Sequence, residues 1–473
     1  MHTAATKPLL VFVFVFFTSM AVVSHASSLR FHYIDRRHNF TAKQASTSSS
    51  SSPSSAHGSR DRRPSFALVR RDAVTGSTYP SRRHAVLDLV ARDNARAEYL
   101  ASRLSPAAYQ PTGFSGSESK VVSGLDEGSG EYFVRVGIGS PPTEQYLVVD
   151  SGSDVIWVQC KPCLECYAQA DPLFDPATSA TFSAVPCGSA VCRTLRTSGC
   201  GDSGGCDYEV SYGDGSYTKG ALALETLTLG GTAVEGVAIG CGHRNRGLFV
   251  GAAGLLGLGW GPMSLVGQLG GAAGGAFSYC LASRGVVGDA GSLVLGRSEA
   301  VPEGAVWVPL VRNPQAPSFY YVGLSGIGVG DERLPLQEDL FQLTEDGAGG
   351  VVMDTGTAVT RLPQEAYAAL RDAFVAAVGA LPRAPGVSLL DTCYDLSGYT
   401  SVRVPTVSFY FDGAATLTLP ARNLLLEVDG GIYCLAFAPS SSGPSILGNI
   451  QQEGIQITVD SANGYIGFGP TTC

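Results

Sequence analysis

Two short stretches could together perform acid–base chemistry: Asp150-Ser151-Gly152-Ser153 and Asp354-Thr355-Gly356-Thr357, 204 residues apart. Either stretch alone reads as a turn, because Asp, Ser and Gly are ordinary turn residues. Each, however, follows an apolar run, Val148-Val149 in one case and Val352-Met353 in the other. Such runs form buried strands, at whose ends an unpaired carboxylate is costly. Two carboxylates brought face to face cannot both ionise easily, so they share a proton and titrate as one unit. The ionised member can act as general base on a water. The protonated member can polarise a carbonyl and then protonate a leaving amine. Neither a metal nor a cofactor nor a covalent intermediate is required. Gly152 and Gly356 let each backbone turn tightly and approach the other loop. The hydroxyls of Ser151, Ser153, Thr355 and Thr357 can orient the carboxylates.

The surrounding sequence has to bring these two loops together. Each is followed by an apolar-apolar-Gly element, Leu255-Leu256-Gly257 in the first half and Ile446-Leu447-Gly448 in the second. A repeat of this length predicts two similar lobes in one chain. It also excludes an architecture in which two copies of the chain each donate one Asp. With 59 glycines and 26 prolines, the chain reads as many short strands joined by turns, a mainly-β fold. Strands are expected over Glu131–Ile138 and Gln145–Asp150. From about Gly128 onward, helical spacing is confined to Pro363–Val378 and a short turn at Ser264–Leu269.

The N-terminal quarter differs in character. Lys7, the apolar run Leu9–Val23 and the small-residue site Ser24-His25-Ala26 have the layout of a secretory signal peptide over residues 1–26. The run is too short for a comfortable membrane span. Residues 27–120 carry 15 Lys and Arg against 7 Asp and Glu, a net of +8, whereas residues 121–473 carry 16 against 34, a net of −18. This pattern predicts a basic pro-segment held electrostatically on its own acidic body. It argues against nucleic-acid binding, since the body would repel phosphates. Within the segment, Ser46–Ser55 is of low complexity, and His84–Leu104 has the apolar spacing of one amphipathic helix. Asn39 opens the one N-glycosylation sequon with a permitted middle residue. All 12 cysteines lie between Cys160 and Cys473; an even number behind a signal peptide implies disulfides rather than a metal site at Cys160, Cys163 and Cys166. Residue types alone leave the pairing open.

The chain resembles the pepsin-like (A1) aspartic peptidases, specifically the plant nepenthesin/nucellin-like group, and is especially similar to the guard-cell type. The resemblance runs from about residue 127 to the end. It is carried by Glu131-Tyr132-Phe133, Asp150–Val158, Tyr212-Gly213-Asp214-Gly215-Ser216, Gly240-Cys241-Gly242-His243, Gly251–Gly259, Phe319–Leu324, Asp354–Arg361, Asp391-Thr392-Cys393-Tyr394 and Ile446–Asn449. It implies a bilobal fold of two double-psi-type β-barrel lobes, over residues 121–300 and 301–473, with an active-site cleft between them. It makes Asp150 and Asp354 the catalytic pair. Tyr212, with Gly213, Asp214 and Gly215, becomes the flap that closes over substrate, and Trp157 the support of Tyr212. It also implies a Cys-rich insertion over 160–206 and the disulfides Cys160–Cys163, Cys166–Cys241, Cys187–Cys206, Cys192–Cys200, Cys280–Cys473 and Cys393–Cys434. Ser151 stands where many relatives carry Thr, and the hydroxyl is kept.

The function so implied is an acid endopeptidase, made as a secreted zymogen and working as a monomer. Its partners are a peptide or protein substrate, its own pro-segment and pepstatin-like inhibitors, without a membrane anchor. The contrasting function is a catalytically inactive pepsin-like protein that binds cell-wall glycosidases, in which one or both Asp loops are usually eroded; here both are intact. No Gly-x-Ser-x-Gly sits on a strand–turn–helix pattern with a convincing His and Asp, which argues against a serine hydrolase. The expected destination is the apoplast, with the vacuole or endoplasmic reticulum as alternatives.

Overall fold

A computed structural model describes residues 31–35, 65–75, 79–103, 132–201, 203–212, 216–247, 249, 251–270, 274–284, 291–296, 304–440 and 442–469. The signal peptide, Asn39, Glu131, the flap residues Gly213, Asp214 and Gly215, and Cys473 lie outside these.

The repeat seen in the sequence is a repeat of topology. Strand Thr143–Asp150 runs parallel to Gly254–Gly257, with Asp150 opposite Gly257. The latter is antiparallel to Trp157–Gln159, which in turn runs parallel to part of Thr232–Arg246. In the second half Val351–Met353 runs parallel to Ser445–Leu447. That strand is antiparallel to Thr360–Pro363 at Arg361 and Ile446, and Thr360–Pro363 runs parallel to Phe437–Ser440. Each lobe thus carries one loop on the same four-strand frame. The apolar-apolar-Gly elements are the strands running beside the Asp-bearing ones. Because these strands are covered on both faces, they read as continuous apolar runs rather than alternating ones. The fold is mainly β and bilobal. Ala276–Cys280 pairs with both Gly291–Leu295 and Gln456–Asp460, so strands from both halves share one sheet beneath the cleft.

The expected helices form. Gln364–Val378 follows Pro363, buries Ala366, Tyr367, Leu370 and Phe374 along one stripe, and ends at Gly379 with φ of 63°. Leu265–Leu269 is capped by Ser264, whose hydroxyl accepts from the Gly267 amide. In the N-terminal basic segment a 22-residue helix spans Arg82–Arg103, with Val86, Leu89, Val90 and Leu100 buried.

Sequence patterning did not announce the strand Ser65–Arg70. It inserts between Tyr132–Ile138 and Gly291–Leu295, with Leu68 opposite both Val134 and Gly291. Its Phe66 and Leu68 face the main core while Ser65 and Ala67 are exposed. This is the alternation expected of a half-buried strand, but only two apolar positions carry it. Phe31–Asp35 adds a further backbone pairing with Ser401–Pro405.

Four expected disulfides are corrected. The structure pairs Cys160 with Cys241, Cys163 with Cys166, Cys187 with Cys200 and Cys192 with Cys206. The expected Cys160–Cys163, Cys166–Cys241, Cys187–Cys206 and Cys192–Cys200 do not form. The reason is burial and register. Cys160 leaves the strand Trp157–Gln159 alongside Gly240–Gly242, its amide bonded to the Gly242 carbonyl, which sets its Cα 5.3 Å from that of Cys241. Both are buried, whereas Cys163 and Cys166 sit in the outer loop. In the insertion, buried Cys192 likewise joins buried Cys206, leaving the outer Cys187 and Cys200 for each other. Cys393 bonds Cys434 across an antiparallel pair. Cys280 is disulfide-bonded, and its expected partner Cys473 is not among the described residues.

Leu68→Ala removes a fully buried side chain from the inserted strand and is expected to cost about 2–5 kcal/mol. Thermal unfolding of the full-length chain should show a lowered midpoint. The same substitution should have no effect once the N-terminal segment has been cut away.

Candidate active site

The two Asp loops meet. Asp150 is 1% exposed and Asp354 is 0% exposed. Reciprocal bonds lock the loops: the Thr355 amide donates to Ser151 Oγ at 3.0 Å, and the Ser151 amide donates to Thr355 Oγ1 at 3.2 Å. Thr355 Oγ1 also donates to the Val149 carbonyl at 3.3 Å. Ser151 thus accepts the amide of the opposite loop just as Thr355 does. Each carboxylate is oriented in the same way. The Gly152 amide donates to Asp150 Oδ1 at 3.0 Å and Ser153 Oγ to Oδ2 at 2.5 Å. The Gly356 amide donates to Asp354 Oδ1 at 3.2 Å and Thr357 Oγ1 to Oδ2 at 2.6 Å. A Cβ on Gly152 would come within 2.9 Å of Asp354 Oδ1, so only glycine permits this approach. Asn449 supports the second loop, donating through Nδ2 to the Thr355 carbonyl and through its amide to the Thr357 carbonyl.

Above the first loop, Trp157 Nε1 donates to the Tyr212 hydroxyl at 3.0 Å. Phe249 lies edge-on to both rings at 5.1 and 5.3 Å. The Tyr212 amide bonds the Ser216 carbonyl, so Tyr212 begins the tip of a hairpin between Cys206–Ser211 and Tyr217–Leu229.

The residue that sequence reasoning missed is Arg96. It projects from the helix Arg82–Arg103 between the two carboxylates. Its Nη2 donates to Asp150 Oδ1 at 2.6 Å and to Asp354 Oδ1 at 2.9 Å; its Nε donates to Asp354 Oδ2 at 3.0 Å. Burial alone would lower the pKa of its guanidinium, but the two carboxylates outweigh that and hold it well above the usual arginine value. One turn earlier, buried Asp93 accepts from the amides of Ala358 and Val359 and from Arg361 Nη2, directly behind the Asp354 loop. Asn94 Oδ1 accepts from the same Arg361 nitrogen at 2.9 Å. Arg82 pairs with Glu427 at 3.3 Å. A signal for these residues was present. Leu89, Asp93, Arg96 and Leu100 follow the 4-3-4 spacing of one helix face, so two charges stand on the apolar stripe.

Among the described residues no group of three or more His, Cys, Asp or Glu side chains is gathered to hold a metal ion. Among them also no helix is long and apolar enough to cross a membrane. The disulfides are those of an oxidising compartment.

Thr355→Val keeps the shape of the loop but leaves the buried Ser151 amide without its acceptor. The expected cost is about 1–3 kcal/mol in denaturant unfolding, with Thr355→Ser within about 1 kcal/mol of the parent.

Two family models match, described as xylanase inhibitor N-terminal over residues 132–297 and xylanase inhibitor C-terminal over residues 319–470. The chain is 61% identical over 414 residues to Protein ASPARTIC PROTEASE IN GUARD CELL 2 of Arabidopsis thaliana, covering 86% of this chain and 87% of that protein. It is 41% identical over 361 residues to aspartic proteinase nepenthesin-2 of Nepenthes gracilis, covering 76% and 81%. Among solved structures, one titled as edgp superposes with a TM-score of 0.59 at 20% identity, covering 71% of this chain and 91% of that one, a likeness of fold. With both lobes matched and both Asp loops intact, the chain belongs to the plant nepenthesin-like group of pepsin-family (A1) aspartic proteases.

Proposed function

We propose that this chain is an acid endopeptidase in which Asp150 and Asp354 form the catalytic pair and residues 27 to about 120 act as a pro-segment. The observation that carries the reading is that one guanidinium occupies the position between two buried, symmetrically supported carboxylates. After release of Arg96, that position receives the attacking water and the scissile carbonyl. One carboxylate takes a proton from the water as it attacks. The other, protonated, gives its proton to the carbonyl oxygen as the diol forms; when the diol collapses, the first carboxylate passes the water-derived proton to the leaving amine and the second takes a proton back from a diol hydroxyl. Proton count is conserved between the two aspartates over the cycle. Gly152 and Gly356 amides, with Ser153 and Thr357 hydroxyls, hold the oxygens in place, so little reorganisation is needed at the reacting centre. Tyr212, held by Trp157, closes over the substrate and excludes water.

The pro-segment role rests on three attachments: Arg96 on the dyad, Asp93 on the amides behind it, and Ser65–Arg70 in the sheet. The two carboxylates hold the Arg96 guanidinium well above the usual arginine value, so it stays charged across the working range; the hold is proposed to be firm at neutral pH and to weaken in acid, as ion pairs to carboxylates in general do. The binding-only alternative shares the fold and the xylanase-inhibitor family name, but it gives no role to two intact, oriented Asp loops. The proposed destination is the cell exterior, as a monomer, with pepstatin-like compounds binding across the dyad.

Asp150→Asn and Asp354→Asn should each lower casein or peptide cleavage at pH 3–5 by about 10²–10⁴-fold or more while the fold is retained. The check is an acid digestion assay with and without pepstatin, alongside circular dichroism. Near-normal turnover in either variant would remove that residue from the mechanism.

A further inference from the structure

The helix that covers the dyad leaves one side of the cleft open. A cavity of about 390 Å³ begins at Gly152 and Ser153 and runs under Tyr212 toward Trp260 and Phe319; among the described residues none of those lining it comes from the N-terminal segment. Starting at the Asp150 loop, it can take about the first two residues of extended chain, each rising about 3.3 Å. Its wall joins two elements distant in sequence. One is the Cys-rich insertion, which contributes Arg196. The other precedes the strand Tyr320–Val322 and contributes Arg312.

The charges facing this cavity do not cancel. Arg312 lies flat on the Trp260 ring, 3.2 Å from its centroid, and its Nη1 donates to the Pro317 carbonyl. That stacking fixes the guanidinium plane while leaving other donors outward. Arg196 is exposed and reaches Asp154 only as a distant electrostatic influence. Of the two acids in the wall, Asp154 is turned inward: it accepts from Ser318 Oγ at 2.5 Å and from the Gly261 amide at 2.9 Å, and burial pushes its carboxyl up. Glu209 is paired with Lys219 at 3.0 Å. Among the described residues that line the cavity, two guanidinium groups therefore remain that no carboxylate neutralises. The acidic body does not override this, because its more distant charges are screened beyond about 10 Å at ordinary salt.

We infer that Arg196 and Arg312 select a substrate with an acidic side chain at one fixed position, within about two residues of the cut bond, on the side of the cleft that this cavity occupies. The inference rests on the peptidase reading above and specifies its substrate. A carboxylate is recognised there by charge-assisted hydrogen bonds. At a partly exposed site their worth corresponds to a preference of about three- to tenfold for Glu over the isosteric Gln.

The test uses the full-length chain, brought to pH 5 after acid release of its N-terminal segment. Internally quenched peptides carry Glu or Gln at each of three positions on either side of the cut. The expected result is a Glu/Gln ratio in kcat/KM of about three to ten at one position only, falling toward one in Arg196→Gln and in Arg312→Gln. The ratio should also shrink at pH 3, where the substrate glutamate, with an ordinary pKa of about 4.3, takes up a proton. A ratio near one at every position in the wild type, or a ratio unchanged in both variants, overturns the inference and leaves the peptidase reading standing. Absence of cleavage of every peptide overturns that reading and the inference together.

Discussion

Asp150 and Asp354 are turned toward each other in a site that excludes most water, and the rest of the molecule is arranged around that electrostatic cost. Two buried carboxylates without a partner would be strongly destabilising. Each accepts a glycine amide and a hydroxyl from its own loop, and the two loops are tied by the Ser151 and Thr355 exchange. The remaining charge is met by Arg96. That guanidinium bonds both aspartates, so the N-terminal segment is fixed to the two lobes at once rather than to either alone.

The parallel-strand frame explains why the aspartates can be placed so closely. In each lobe the Asp-bearing strand runs beside the apolar-apolar-Gly strand, which is itself crossed by the strand after the loop. Backbone groups near each carboxylate are thereby satisfied within the sheet: the Leu258 amide bonds the Asp150 carbonyl and the Asp354 amide bonds the Leu447 carbonyl. The carboxylates can then be reserved for the side chains and amides that orient them. The insertion is tied to this frame by Cys160–Cys241 and cross-linked within itself by Cys187–Cys200 and Cys192–Cys206, and it presents Arg196 at the rim of the cleft.

Much of this was legible in the sequence, and the parts that were not have physical reasons. The Asp loops stood out because a polar turn directly behind a fully apolar run, repeated once per half, has few structural explanations. The helix Gln364–Val378 was marked by Pro at its start, glycine after its end and a clean apolar stripe. The helix carrying Arg96 was also visible as a periodic segment, but the identity of the cation that meets the two aspartates was not, since 15 Lys and Arg occupy residues 27–120 and distance to the aspartates is a tertiary property. The strand Ser65–Arg70 escaped because two alternating apolar residues are too weak a pattern on their own. The pairing of the insertion's cysteines depended on which of them face inward, and close sequence spacing carries no such information.

The most direct test is the pH at which the N-terminal segment lets go. Full-length wild-type chain and Arg96→Met should be incubated across pH 3–7, with release of the segment followed by size, N-terminal sequence and onset of peptide cleavage. If the shared contact with Asp150 and Asp354 is what holds the segment, the wild type releases it only in acid, and Arg96→Met releases it at a pH about one unit or more nearer neutrality, where one pKa unit corresponds to about 1.4 kcal/mol. Release profiles that coincide, with both proteins folded, would contradict the account.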